Sequence, residues 1–295
     1  MKRILLFVLT NLAVVFVLNV VCHLLGIDQF MAARGQSYTG LLVFAAVFGF
    51  GGSIISLLIS KWSAKRMMGV HVITQPANNT EQWLVDTVRA QAQQVGIGMP
   101  EVGVFEAAEP NAFATGANRN AALVAVSSGL LQRMNRQQVE AVLGHEMGHV
   151  ANGDMITLAL LQGVVNTFVI FMSRIIGEFV DRVVFRSERG GGIGQFIVVM
   201  VTQVLLGFVA SMIVMWFSRR REFRADESGA RLAGAGNMIG ALEALKRVPD
   251  PQDLPQQMAA FGISGGAPSG LKRLFMSHPP LDERIDALRR AAGQS

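Results

Sequence analysis

The stretch RQQVEAVLGHEMGHVANGD, residues 136–154, decides how the rest of the chain is read. Val139, Val142, Leu143 and Met147 recur at near-helical spacing, and Asn152 with Gly153 supplies a stop, so the segment is predicted to be a helix. On such a helix His145 and His149 differ by about 40° in direction and about 6 Å in height, so both rings can face one ion. Glu146 lies about 100° round from His145, close enough to reach a water on that ion without binding it. A solvated surface helix with two histidines is the bland alternative. Three fixed residues in so short a window arise by chance in on the order of one chain in a hundred of this length. Placement on a helix makes coincidence rarer, and the metal reading is preferred.

The residue types suit zinc-assisted hydrolysis. Neutral imidazoles hold the ion, an open position takes water, and the Lewis acid brings that water's pKa toward neutrality. A neighbouring carboxylate takes the proton and later passes it to a leaving amine, which is the chemistry of peptide hydrolysis. Cobalt and manganese accept the same ligands, and zinc is expected from the type of site. Such a site normally has three protein ligands. No histidine follows within the dozen residues after His149, so a carboxylate from a later helix is expected. The segment SRRREFRADESGARLAG (218–234) offers Glu222 and Asp226 one turn apart on a shared face. Glu222 is the candidate ligand, and Asp226 the acceptor for a ring N–H of a ligating histidine. Glu227 is the rival ligand, and neutralising Arg219, Arg220, Arg221 and Arg224 is the carboxylates' alternative use.

Around these motifs the 295-residue chain is unusually apolar, with 51% hydrophobic and 16% charged residues and a mean hydropathy of +0.39. The apolar residues gather in four blocks, so about four transmembrane helices are expected in a mainly α fold. Ile4 to Leu25, behind Lys2 and Arg3, is longer than a signal-peptide core and lacks a clear cleavage site, and it reads as an uncleaved span. Tyr38 to Ser60 carries Gly49, Gly52, Ser53 and Ser56, small residues that let a neighbouring helix approach. Met155 to Ser173 contains Gln162 and Asn166, which need hydrogen-bond partners in hydrocarbon. Gln195 to Phe217 has no charge.

Four segments follow: an N-terminal hairpin (1–60), a first soluble part with the histidine helix (61–154), a second hydrophobic hairpin (155–217) and a second soluble part (218–295). Lys2, Arg3, Lys61, Lys65 and Arg66 place both ends of the first hairpin in the cytoplasm. If Glu222 completes the site begun by His145, the intervening chain crosses the bilayer twice or not at all. Arg182, Arg186 and Arg189 then face away from the cytoplasm, against the positive-inside tendency, so a shallow or protein-buried hairpin stays open for 155–217.

The net charge of +5 sits beside apolar spans, at 61–66 and 219–224, and reads as membrane anchoring, so no nucleic-acid partner is expected. The glycines of RVVFRSERGGGIG (182–194) lack the lysine and hydroxyl residue of a phosphate-binding loop, so no nucleotide is expected and a flexible connector is. Cys22 is the one cysteine, which excludes an internal disulfide. In the soluble parts, VHVIT (70–74), VGVFE (102–106) and LVAVS (123–127) read as short strands and TEQWLVDTVRAQAQQVG (80–96) as a helix ending at Gly96.

GHEMGHVANGD, NAFATG (111–116), EFRAD (222–226) and SHPPLDERI (277–285) together resemble the HtpX-type heat-shock zinc peptidases of bacterial inner membranes, relatives of the peptidases that process prenylated CaaX proteins. The resemblance runs along nearly the whole chain. It implies a multi-pass protein of the bacterial inner membrane with a cytoplasmic, α-helical zinc-peptidase domain carrying a small β-sheet. It implies one zinc ion held by His145, His149 and Glu222, with Glu146 as general base and Asp226 as support. The implied role is stress-linked quality control, hydrolysing misfolded or damaged membrane proteins. A specific processing peptidase and a catalytically idle zinc-stabilised scaffold are the alternatives. Three further residues are candidates on physical grounds. Asn111 precedes an extended segment whose edge can pair with a substrate backbone, a plain turn being the alternative. His278 and Arg284 flank a C-terminal helix start marked by Pro279, Pro280, Asp282 and Glu283, and either can donate to an oxyanion, helix capping being the other use for His278. The segment PDPQDLPQQMAAFGISGGAPSG (249–270) reads most simply as a mobile loop, with covering the cleft as the alternative.

Overall fold

The computed structural model describes residues 20, 23–24, 26–32, 37–185, 192–247 and 278–293. Most of the predicted first span, residues 186–191 of the connector and the 249–270 loop lie outside them. The described chain is mainly helical: α1 (Ile27–Ala32), α2 (Tyr38–Met67), α3 (Asn79–Val95), α4 (Ser128–Arg133), α5 (Arg136–Asn152), α6 (Asp154–Val183), α7 (Ile193–Ala233), α8 (Ala235–Lys246) and α9 (Leu281–Ala291). Four short strands, β1 (His71–Val72), β2 (Glu101–Phe105), β3 (Ala112–Thr115) and β4 (Leu123–Ser127), complete it. The chain divides into two units, Met1–Ser56 with Thr157–Val214, and Leu57–Ile156 with Met215–Ser295.

In the first unit α2, α6 and α7 contribute helices long and apolar enough to cross a membrane, three such helices among the described residues. Val47, Phe48, Ile55, Phe196, Val204, Leu205 and Phe208 are exposed along α2 and α7. So continuous an apolar surface suits lipid and not water. Of the small residues in α2, Gly49 and Ser53 are the ones turned inward: a methyl on Gly49 would stand 2.6 Å from the Thr167 backbone nitrogen of α6, whereas Gly52 has nothing within 4 Å. Close approach at Gly49 is therefore a packing requirement. The two amides of the third apolar block satisfy each other, Gln162 Nε2 donating to Asn166 Oδ1 at 2.8 Å, and farther along α6 Glu178 accepts from Gln195 at 2.7 Å.

The second unit holds a mixed sheet in the order β1-β2-β4-β3. β2 and β4 run parallel, with Val102 opposite Val124, while β1 and β3 pair antiparallel at the two edges. β4 is buried along its whole length, as a central all-apolar strand should be. Asn78 caps α3 by accepting from the Thr80 and Glu81 N–H groups, and Gly96 ends it at φ 70°, the left-handed turn that glycine adopts without strain. Leu84 and Val88 of α3, Val139 and Leu143 of α5, Leu242 of α8 and Ile285 of α9 share one core with the inner face of the sheet. Lys61 and Lys65, expected as membrane anchors, also serve the fold. Both pair with Glu101, Lys61 at 3.0 Å, and Lys61 donates to the Ala121 carbonyl at 2.7 Å.

One boundary differs from the sequence reading. The apolar block ending at Phe217 and the polar segment from Ser218 form a single helix of 41 residues. Nothing between Phe217 and Ser218 breaks a helix, and arginine, glutamate and alanine continue it well. Its length of about 60 Å is roughly twice a bilayer's hydrocarbon thickness, so the polar end with Glu222 is an extension of a span.

Candidate metal centre

α5 is assembled locally. Asn135 accepts from the Gln138 N–H at 2.9 Å while the Gln138 side chain accepts from the Asn135 N–H at 3.1 Å, a reciprocal cap that fixes where the helix starts. Gly153 ends it at φ 69°. Between these ends, Gly144 and Gly148 alternate with the histidines, and this is what admits the second half of the site. A methyl on Gly148 would stand 2.7 Å from Ser228 Cβ and 3.3 Å from Ala225 Cα, and one on Gly144 would stand 3.1 Å from Gly229 Cα. Small residues on both helices bring the polar end of α7 against α5. Gly148→Ala is expected to destabilise the protein by about 1–3 kcal/mol through overpacking, and Ser228→Gly in the same chain should recover part of the loss in thermal inactivation measurements. Equal inactivation temperatures for the parent and Gly148→Ala would refute the close-packing account.

That approach carries Glu222 to the two histidines. His145 Nε2 lies 3.5 Å from one Glu222 oxygen and His149 Nε2 lies 3.3 Å from the other. The ring centroids are 4.8 Å apart at 88°, and ligand atoms of His145, His149 and Glu222 all lie within 4.8 Å of one another. Ligand bonds of 2.0–2.1 Å in a tetrahedron imply ligand–ligand edges of roughly 3.3–3.4 Å. The two histidine–Glu222 distances are close to those edges, and the donor set suits a divalent ion.

Behind each ring stands a carboxylate. His145 Nδ1 is 2.9 Å from Asp226 Oδ1, and His149 Nδ1 is 2.7 Å from Asp154 Oδ2. A proton on each Nδ1, donated to these acids, leaves both Nε2 lone pairs directed at the ion position. Asp154 carries no role in the sequence reading. Its signal was the placement of an acid immediately after the Gly153 helix stop, five residues past His149.

Arg284 sits deeper still. It is 1% exposed, donating from Nε to Asp226 Oδ2 at 2.7 Å and from Nη2 to Asp226 Oδ1 at 2.5 Å. Considered as an oxyanion donor, it is found clamping the acid that orients His145. His278 Nδ1 lies 2.5 Å from Glu222 Oε2, so the start of the 278–280 segment stands against that carboxylate. Glu227 is exposed, which leaves Glu222, 1% exposed, as the acid in the site. Arg221 bonds the Asp154 carbonyl at 3.1 Å and Ser218 at 3.0 Å, tying α7 to the start of α6. Asn111 is buried with its side-chain carbonyl oxygen unpartnered, directly before edge strand β3, which packs against α5.

The electrostatics follow from this wiring. Burial opposes charging of His149, but Asp154 and Glu222 outweigh it and push the ring up to about 10. His145 moves upward against the same burial because of Asp226 and Glu222. Rings with raised proton affinity are strong donors to a cation, which competes with the proton for the same lone pairs. Burial raises the Glu146 carboxyl, with His145 and His149 pulling the other way.

The model of peptidase family M48 matches residues 78–292. Protease HtpX of Thioalkalivibrio sulfidiphilus is 62% identical over 98% of this chain and 99% of its own. A Protease HtpX homolog of Thiobacillus denitrificans is 64% identical, again over 98% and 99%. The crystal structure of S. mikatae Ste24p shares the fold at a TM-score of 0.62 and 18% identity, covering 98% of this chain and 67% of that one.

Proposed function

Because the chain belongs to peptidase family M48, and is thereby a membrane metalloprotease, we propose that it is a zinc endopeptidase whose ion is held by His145, His149 and Glu222. The observation that carries this is the convergence of those three ligand atoms from α5 and α7, with both Nδ1 atoms already tied to Asp226 and Asp154. A bound zinc ion supplies a Lewis acid that activates water and polarises the scissile carbonyl. Glu146 is the base: next to His145 and outside the ligand trio, it takes the proton from the attacking water and returns it to the leaving amine. Asp226 and Asp154 hold the rings in the ligating orientation.

Among the described residues β3 is an edge strand of the sheet, and its outer side is the surface along which a substrate strand is aligned by main-chain hydrogen bonds. Asn111, at its start, has an unpartnered amide oxygen that can accept from a substrate N–H. Asn111→Ala is expected to raise KM about fivefold to tenfold, the loss of a typical buried hydrogen bond, and an unchanged KM would remove Asn111 from substrate binding. His278, held on Glu222 through Nδ1, and Arg284, held on Asp226 through Nε and Nη2, are the two candidates for an oxyanion donor.

The substrates proposed are misfolded or damaged membrane proteins, and the location a bacterial inner membrane crossed by about four helices, with the active site in the cytoplasm. The chain leaves the second unit at Ile156 and returns at Met215, and crossings by the two membrane-capable helices between them would return both ligand segments to one side. Lys61, Lys65 and the Arg219–Arg221 run on that side agree with a cytoplasmic assignment. The test is metal analysis of the purified full chain with casein cleavage before and after chelation. Close to one zinc per chain, loss of cleavage with the metal and return on adding zinc are expected. Full cleavage by metal-free protein would overturn the mechanism.

A further inference from the structure

Beside the metal centre, and wholly within the second unit, Trp216, Arg219, Arg220, Phe223, Pro279, Pro280 and Glu283 line an open cavity of about 500 Å³. We propose that this cavity is a binding site for the headgroup of an acidic phospholipid of the bilayer.

Four of its lining residues, at 216, 219, 220 and 223, follow the i, i+3, i+4, i+7 spacing and form a single face of α7. That face straddles the point where the uncharged stretch ends at Phe217 and the arginine run begins. In a helix long enough to cross a membrane and continue beyond it, this point stands at the level of the phosphates. Arg220 lies over the Trp216 ring at 4.9 Å, so the indole and guanidinium form one preassembled wall. The lining is two-faced. Trp216, Phe223, Pro279 and Pro280 suit the glycerol and upper acyl region, and Arg219 and Arg220 suit a phosphate diester. Among the described lining residues Glu283 is the single acid beside two arginines, Arg219 and Arg220. A peptide side chain would not call for this pairing of an apolar floor with two guanidinium groups at the membrane level, whereas an amphiphilic anion does.

The position gives the site a consequence. Glu222 lies about 60° round α7 from Arg219, and Pro279 directly follows His278, which is bonded to Glu222. A headgroup in the cavity thus braces both the helix and the turn that bracket the proposed ligand. The proposal relies on the metallopeptidase reading only for this coupling; occupancy itself is separable from catalysis.

The test uses the full chain carrying Trp62→Phe and Trp83→Phe, which leaves Trp216 as the one tryptophan, in vesicles of phosphatidylcholine with a minority of phosphatidylglycerol. Bromine is placed on the acyl chains of one lipid or the other, and quenching of Trp216 is compared at equal brominated fraction. Brominated phosphatidylglycerol should be enriched at Trp216, with about fivefold of the enrichment lost on Arg220→Gln and a similar factor on Arg219→Gln. Arg224→Gln removes the same charge from an exposed position outside the cavity and should leave the enrichment intact. Equal loss with Arg224→Gln would reduce the effect to diffuse surface charge and overturn the site. So would equal quenching by both lipids. Glycerol phosphate added to vesicles of phosphatidylcholine alone separates the sources: a matching shift of Trp216 emission would assign the cavity to a soluble phosphate and overturn the lipid assignment. If instead Arg219→Gln and Arg220→Gln raise KM for casein equally in detergent and in both vesicle types, with no lipid enrichment, the cavity is a substrate subsite and the proposal fails. Quenching is read without cleavage, so failure here leaves the peptidase reading standing.

Discussion

Glu146→Gln is expected to keep the metal and to lower kcat by about 10²–10⁴-fold, the range a positioned general base contributes. The amide matches the carboxylate in shape, so the buried position, 6% exposed, remains filled and α5 keeps its packing. What is lost is the ability to accept a proton. Glu146 is outside the group of converging ligand atoms, so zinc content should be unchanged, which separates this variant from His145→Ala or Glu222→Ala, where metal and activity should fall together. Measuring zinc and casein cleavage on the same sample decides it. Retained zinc with undiminished cleavage would remove Glu146 from the mechanism, and full complementation of a protease-deficient strain by the same variant would favour a scaffold role.

Arg284→Met carries the largest expected cost in stability. The guanidinium holds Asp226 through two hydrogen bonds, both partners being 1% exposed. Removing the cation leaves a buried carboxylate with His145 as its partner, and breaking such a pair typically costs about 3–5 kcal/mol. The loss is expected as a lower temperature of thermal inactivation. The same change frees Asp226 to swing, and with it the His145 ring, so metal affinity should fall about 10–100-fold. Adding Asp226→Asn to Arg284→Met removes the unpaired charge. The double variant should regain thermal stability without regaining metal affinity, since an amide is a poorer acceptor for the ring N–H. That split distinguishes an arginine acting through Asp226 from one that merely fills space. A single variant as stable and as metal-tight as the parent would refute the clamp.

The residues of α5 were legible because everything that makes them a helix is local. Val139, Leu143 and Met147 set the period, Asn152 with Gly153 marks the stop, and the four-residue interval between His145 and His149 places both rings by helix geometry alone, whereas the cap at Asn135 came from the structure. The membrane-capable helices were legible for a similar reason: length and apolar composition need no partner to be read. Strand positions followed from valine-rich runs, although the order β1-β2-β4-β3, with its parallel pair at the centre, depends on pairings that no local pattern encodes.

Choosing between Glu222 and Glu227 required the fold. Both stand on the same helix among the same arginines, and spacing leaves either available; the packing of Ala225, Ser228 and Gly229 against Gly144 and Gly148 turns one inward and the other to solvent. The glycines were visible in the motif, but their meaning lay in a surface 80 residues away. Asp154, Arg284 and His278 belong to the same class. By itself the sequence determined the longer helices, the stops at Gly96 and Gly153 and the two rings on one face, because those are properties of consecutive residues. Only the tertiary structure brought Glu222 and not Glu227 beside the two rings, set Asp226 and Asp154 against them and placed Arg284 on Asp226, because each of those is a contact between segments whose separation along the chain carries no directional information.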